Sequence, residues 1–296
     1  MRPLTRQNFA WDVGFQWARN RGNVDNLAGA TFVQRDNGNT FSLPVFQEGY
    51  QPGVIQGNDF IRCGRGLTFN DIDLDNTPGQ CLGAPAGAVY LADDGRPRTD
   101  PTLRIVADPN PDWTGSVRSS VRYKKWLLSG LLDIKHGGDV YNGTKGALYN
   151  FGTHRDTERR GEQVLIRDYL RQTAGQHYST FAGPGVDVPT TLDQSWYTGV
   201  GGSFNGPSQQ AIEDGGYVKL REISVGYTLD QPWVRRTLGL SSIDLRVAGR
   251  NLHTWTNYTG IDPETNNGGA ENFVQGIDYF NNPQTRSVVL TVGLNR

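Results

Sequence analysis

Between Tyr217 and Leu252 the chain alternates in character with a period of two, and this restricts its fold more than any other feature. In YVKLREISVGYTL, Ile223, Val225, Tyr227 and Leu229 fall on one side, and Glu222, Ser224, Gly226 and Thr228 on the other. After a connection, Ile243, Leu245 and Val247 alternate with Asp244, Arg246 and Ala248. Successive side chains of a strand point to opposite faces of its sheet. One face is therefore apolar, while the other carries charges that a protein core rarely accepts unpaired. Apolar outside and wet inside is the pattern of a transmembrane β-barrel strand. An antiparallel sheet with one face in water has the same pattern, so a soluble β-sandwich or carbohydrate-binding module stays open on the alternation alone.

Other segments repeat the pattern. In FAWDVGFQW, Phe9, Trp11, Val13, Phe15 and Trp17 share a face. Trp113, Val117, Val121 and Tyr123 precede a tight turn at Lys124–Lys125; Trp126, Leu128, Gly130, Leu132 and Ile134 follow it. Val288, Leu290, Val292 and Leu294 close the chain. Six strands are predicted, near residues 7–19, 112–123, 126–136, 217–229, 242–252 and 285–295. Long and short connections alternate between them, the signature of an up-and-down barrel. The expected fold is all-β: an antiparallel transmembrane β-barrel, partial, with long external loops.

Several stretches resemble a known family. YVKLREISVGYTL, GRNLHTWTNYTGIDPE, the hairpin opening at NPDW (Asn110–Trp113) and the closing RSVVLTVGLNR are similar to the barrel of SusC/RagA-type TonB-dependent outer-membrane transporters. The resemblance implies that residues 1–296 are the C-terminal part of such a barrel. These barrels close with about 22 strands around a plug. No plug, signal peptide or earlier strand is recognisable in the chain. The resemblance also implies outer-membrane localisation, TonB-powered import of glycans or peptides, contact with TonB through a missing N-terminal part, and a SusD-like surface lipoprotein as lid.

The loops between strands are long, polar and rich in Gly, Asn and Pro. Short β pieces are expected at Thr31–Gln34, Leu43–Phe46 and Ala88–Leu91, and a short helix within His154–Leu170. Aromatic rings on these loops, Tyr141, Phe151, Tyr178, Trp196, Tyr197, Trp255 and Tyr258, are candidate substrate platforms; the opposing reading is that they pack the loops against themselves. Arg118, Arg122, Glu222, Asp244 and Arg246 are expected to face the lumen.

Charge is balanced, with 29 basic and 30 acidic residues, which argues against a nucleic-acid binder. Cys63 and Cys81 are a candidate disulfide that would stabilise its loop by about 3 kcal/mol; two unrelated thiols are the alternative. Asp71, Asp73 and Asp75 have the spacing of calcium-loop ligands, but Asn76 and Leu82 stand where Gly and Glu are required. No cofactor or metal site is expected. Asp139, Asp156, Glu158, Asp168 and Glu213 supply loop carboxylates, but no spacing selects a catalytic pair, and an enzyme is not expected.

Overall fold

The computed structural model describes residues 4–34, 43–64, 68–69, 72–73, 83–173, 179–182, 187–202, 205–269 and 274–296. Its organising element is a seven-stranded antiparallel sheet whose strands are neighbours in chain order. They are β1 (Leu4–Arg6), β2 (Phe9–Ala18), β3 (Trp113–Tyr123), β4 (Trp126–His136), β5 (Tyr217–Leu229), β6 (Ser242–Thr256) and β7 (Ser287–Asn295). The six strands expected from the alternation are present, and β1 is added at one edge.

The register carries the two-faced pattern across the whole sheet. Leu4, Trp11, Val121, Leu128, Val225, Val247 and Leu290 lie opposite one another, one from each strand. A second row runs Phe9, Tyr123, Trp126, Tyr227, Leu245 and Val292. Among the described residues nothing covers this face: Phe15 is 72% exposed, Val288 76% and Leu290 70%. A soluble sandwich would have buried such a face under a second sheet. Aromatic rings mark both ends of the band. Trp126 lies against Tyr227 at 4.6 Å between centroids, and Trp113 stacks on His136 at 5.4 Å. From Trp126 to His136 the strand runs about 34 Å at 3.4 Å per residue. With a tilt of about 40° that is about 26 Å along the bilayer normal, the height of a barrel's apolar band.

At the Trp126 end the connections are short. Lys124, with φ 51°, makes the tight turn between β3 and β4. The link from β5 to β6 contains the helix Pro232–Leu238, which Pro opens and Gly239 closes in the left-handed conformation, as the lack of a Cβ permits.

At the opposite end the three long connections fold together into a cap with its own cores. Its four-stranded sheet comprises Phe32–Gln34, Leu43–Gln47, Val54–Phe60 and Thr99–Ala107. One cluster gathers Phe60, Leu91, Tyr149, Ile166, Tyr169, Leu170, Leu192 and Trp196 from the first two connections. Another joins Ile55, Tyr141, Ile212 and Ile277 from all three. The expected β pieces appear as Phe32–Gln34, Leu43–Gln47 and Val89–Leu91. The expected helix appears as a 3-10 turn at Arg155–Arg159 and an α-helix at Ile166–Thr173. Val54–Phe60 and Thr99–Ala107 lack a clean period-two pattern: the first is buried nearly throughout, its polar Gln56 and Asp59 included, so burial does not alternate along it.

Candidate functional site: the polar face and its junction with the cap

The polar face of the sheet is built by the same register. Arg122, Leu127, Gly226, Arg246 and Thr291 form one row; Arg118, Leu131, Glu222, Arg250 and Ser287 form the next but one. Asp244 lies between Thr228 and Gly293 on the same face. Glu222 receives hydrogen bonds from both Arg246 and Arg250. Thr228 donates to Asp244 at 2.6 Å. Between the two arginine-bearing rows, the hydroxyls of Ser129 and Ser224 are 2.7 Å apart. All five residues expected on one face therefore share it.

A β-bulge governs the junction with the cap. Leu131 pairs with Glu222, but the next residue, Leu132, pairs with Leu220, so Arg221 is the extra residue. An extra residue reverses which positions face which side. Without it, Lys219 and Tyr217 would continue the odd-numbered series of Ile223 and Val225 onto the apolar face. With it, Lys219 pairs with Asp133, which shares the polar face with Ser116 and Gln16.

The charges collected there interlock. Lys219 Nζ is 2.6 Å from Asp262 Oδ1 and 2.5 Å from Glu264 Oε2. Arg221 donates to Asp133 Oδ2 at 2.7 Å, to Glu264 at both carboxylate oxygens (Nη1 to Oε2 2.8 Å), and to Gln284 Oε1 at 3.0 Å. Tyr217 OH donates to Glu264 Oε1 at 2.7 Å. Burial alone would raise the Glu264 carboxyl, but hydrogen bonds from Arg221, Lys219 and Tyr217 outweigh it and bring it down to about 2. The segments VKLRE and GIDPE are thus two halves of one ionic contact between wall and cap.

A second buried clamp joins the cap's connections. Glu213, 2% exposed, accepts hydrogen bonds from Asn142 Nδ2 (3.2 Å), Lys145 Nζ (3.1 Å), Thr259 N (2.7 Å) and Thr259 Oγ1 (2.7 Å). Asp278 accepts from Tyr258 OH at 2.6 Å and from Thr144 Oγ1 at 2.9 Å. Burial raises the Asp139 carboxyl, and burial likewise lowers His154.

The loop aromatics divide. Tyr141 and Trp196 have no exposed surface, and Tyr197 and Tyr258 keep 4% and 5%. The expectation that these four form open platforms is corrected: their rings fill the cap's interior, because a polar-looking loop of this length still needs a core to order it. Trp255 is half exposed, but it pairs with Val218 and so belongs to the apolar face at the upper aromatic belt. Phe151 remains, 64% exposed, and lines a cavity of about 370 Å³ together with Asn150, Arg160, Gln194 and Thr198. Tyr178 lies outside the described residues.

Cys63 is buried and disulfide-bonded, and Cys81 lies outside the described residues. Asp71, Asp75 and the side chain of Asp73 also lie outside them. Among the described residues, no three His, Cys, Asp or Glu side chains are grouped to hold a metal. The loop carboxylates Asp156 and Glu213 are engaged, by Tyr149 and Lys145 respectively. Lys219, Arg221, Asp262 and Glu264 were not singled out from the sequence. The available signal was Lys219 itself, a charge on the odd, apolar parity of β5.

A sheet with one uncovered apolar face and one charged face, a short-turn end and a folded cap has the form of a segment of a transmembrane β-barrel. The comparisons narrow this class. The chain is 26% identical, over 99% of its length, to TonB-dependent receptor P3 of Formosa agariphila, and 24% identical over 97% to TonB-dependent receptor P26 of the same organism. It spans about a quarter of those relatives' length, 27% of each. The fold superposes on the RagAB peptide importer in its open-open state (TM-score 0.57, 14% identity, 100% of this chain and 27% of the other) and closed-closed state (TM-score 0.58, 15% identity, 99% and 28%). No protein-family profile matches the chain. The chain is thus similar in sequence to part of TonB-dependent receptors and in fold to part of the RagAB importers, β-barrel proteins of the bacterial outer membrane.

Proposed function

We propose that the chain supplies part of the wall and external cap of a TonB-dependent transporter that imports large nutrients, glycans or peptides. The observation that carries this reading is the unbroken apolar row from Leu4 to Leu290 backed by a charged face. Residues 1–296 make the C-terminal part of the barrel, and the plug and the contact with TonB lie in the remainder of the receptor. Arg118, Arg122, Glu222, Asp244 and Arg246 face the lumen, where they line the wall or meet the plug. Phe151 and its cavity contribute to substrate contact at the cap. A SusD-like surface lipoprotein closes over the cap; the likeness to the RagAB peptide importer supports that partnership.

The test is uptake by living cells. Labelled oligosaccharides and oligopeptides are offered to the wild type, a receptor-deletion strain and a strain lacking TonB. Accumulation of one class is expected to disappear in both mutants, and an affinity-tagged receptor is expected to retain a surface lipoprotein. Unchanged uptake of both classes in both mutants defeats the transport reading.

A further inference from the structure

The short-connection end of the wall carries a basic, aromatic rim that the transport reading does not use. The helix Pro232–Leu238 is anchored by Val234, which is fully buried, and leaves Trp233 48% and Leu238 50% exposed. Between those two, Arg235 and Arg236 are exposed and have no ion-pair or hydrogen-bond partner for their side chains among the described residues. In the neighbouring turn, Lys124 Nζ stands 5.5 Å above the Tyr123 ring. Arg6 pairs with Phe9, in the same row as Tyr123 and Trp126, and is exposed with no side-chain partner among the described residues. The acidic residue closest in sequence to the helix, Asp230, is already taken by Lys125.

We infer that this rim is a docking site for anionic phospholipid headgroups of the leaflet that faces the short turns. Three observations converge on that occupant. The rim continues the apolar belt, so any molecule against it has acyl chains alongside Tyr123, Trp126 and Tyr227. Trp233 sits where an amphipathic ring settles at a membrane interface. Arg6, Lys124, Arg235 and Arg236 all lie at this end of the wall and have no ion-pair partner among the described residues, and a guanidinium matches phosphate with paired donors. Each basic side chain near an anionic surface contributes about 1 kcal/mol, a factor of about five in occupancy. The inference rests on the membrane reading of the sheet.

The test uses the native receptor, extracted from outer membranes and placed in nanodiscs of equimolar phosphatidylglycerol and phosphatidylcholine. Native mass spectrometry then counts the lipids retained on the protein. The wild type is expected to retain phosphatidylglycerol selectively. The variant K124Q/R235Q/R236Q is expected to lose at least about tenfold of that retention, whereas R235K/R236K keeps most of it. Trp233→Ser is expected to lower retention of both lipids. Equal phosphatidylglycerol retention by the glutamine variant overturns the inference, and so does displacement of the lipid by inorganic phosphate alone, which marks a free-anion site. Heat-modifiable gel mobility confirms that each variant folds. A receptor absent from the outer-membrane fraction defeats the membrane reading instead, a separate outcome.

Discussion

Lys219 Nζ lies 2.6 Å from Asp262 Oδ1, with side chains only 4% and 8% exposed, so an ammonium on the barrel wall and a carboxylate of the cap neutralise each other out of water. The pairing depends on Arg221. Because that residue is extra in β5, Lys219 turns inward toward Asp262 and not outward toward lipid. A buried pair is expensive to break from one side, since the surviving charge is left desolvated.

Lys219→Met, which leaves the buried Asp262 carboxylate with no cation among the described residues, therefore should cost about 3–5 kcal/mol at the junction. Hydrogen exchange of the solubilised receptor is the measurement. Protection is expected to fall in residues 257–286 and to persist in β3 and β4. Unchanged protection of the third connection rules out the clamp as its anchor.

Acid should release the same contact. The folded Glu264 carboxyl is held at about 2, below its ordinary 4.5. A carboxylate depressed in the folded state stabilises above its unfolded value, and the contribution disappears as pH falls through the folded one. The window is thus about pH 4.5 down to 2, with a contribution on the order of 3 kcal/mol at neutral pH. Near-ultraviolet circular dichroism is expected to show a transition in that window, absent from Glu264→Gln. A transition identical in the variant assigns it to other groups.

The cap's core should be separable from the wall. Trp196 has no exposed surface and meets Tyr169 edge-on at 5.5 Å. Trp196→Ala should destabilise the cap by about 3–5 kcal/mol. Limited proteolysis is expected to cut within residues 143–216, while the barrel keeps its heat-modifiable mobility. Resistance equal to the wild type contradicts a core role for Trp196.

The two faces of the sheet should differ in their tolerance of charge. Val225 lies mid-belt, opposite Leu128 and Val247, and Thr291 lies on the polar face opposite Arg246. Val225→Arg should cost about 2–4 kcal/mol of membrane stability, and Thr291→Arg close to none. Urea unfolding in liposomes compares the two, and equal costs refute the assignment of faces.

The alternation of Tyr217–Leu229 and its partners was sufficient to read out strands, their order and the two faces, because a period of two is a local property and each side chain's face follows from its number. The motif resemblance then named the class. Of the loop rings read either as substrate platforms or as packing, Phe151 is exposed, whereas Tyr141, Trp196, Tyr197 and Tyr258 pack the cap; composition cannot distinguish a polar surface loop from one folded around its own aromatic core. The strand Val54–Phe60 escaped for a related reason: buried on both sides, it has no alternation to detect.

What the sequence by itself determined is therefore the wall: its strands, its apolar and polar faces, and its resemblance to the receptor class. Only the tertiary structure decided the bulge at Arg221, the pairing of Lys219 with Asp262 and the burial of the cap aromatics. These contacts join residues tens of positions apart, where loop closure and desolvation set the outcome and no local pattern records them.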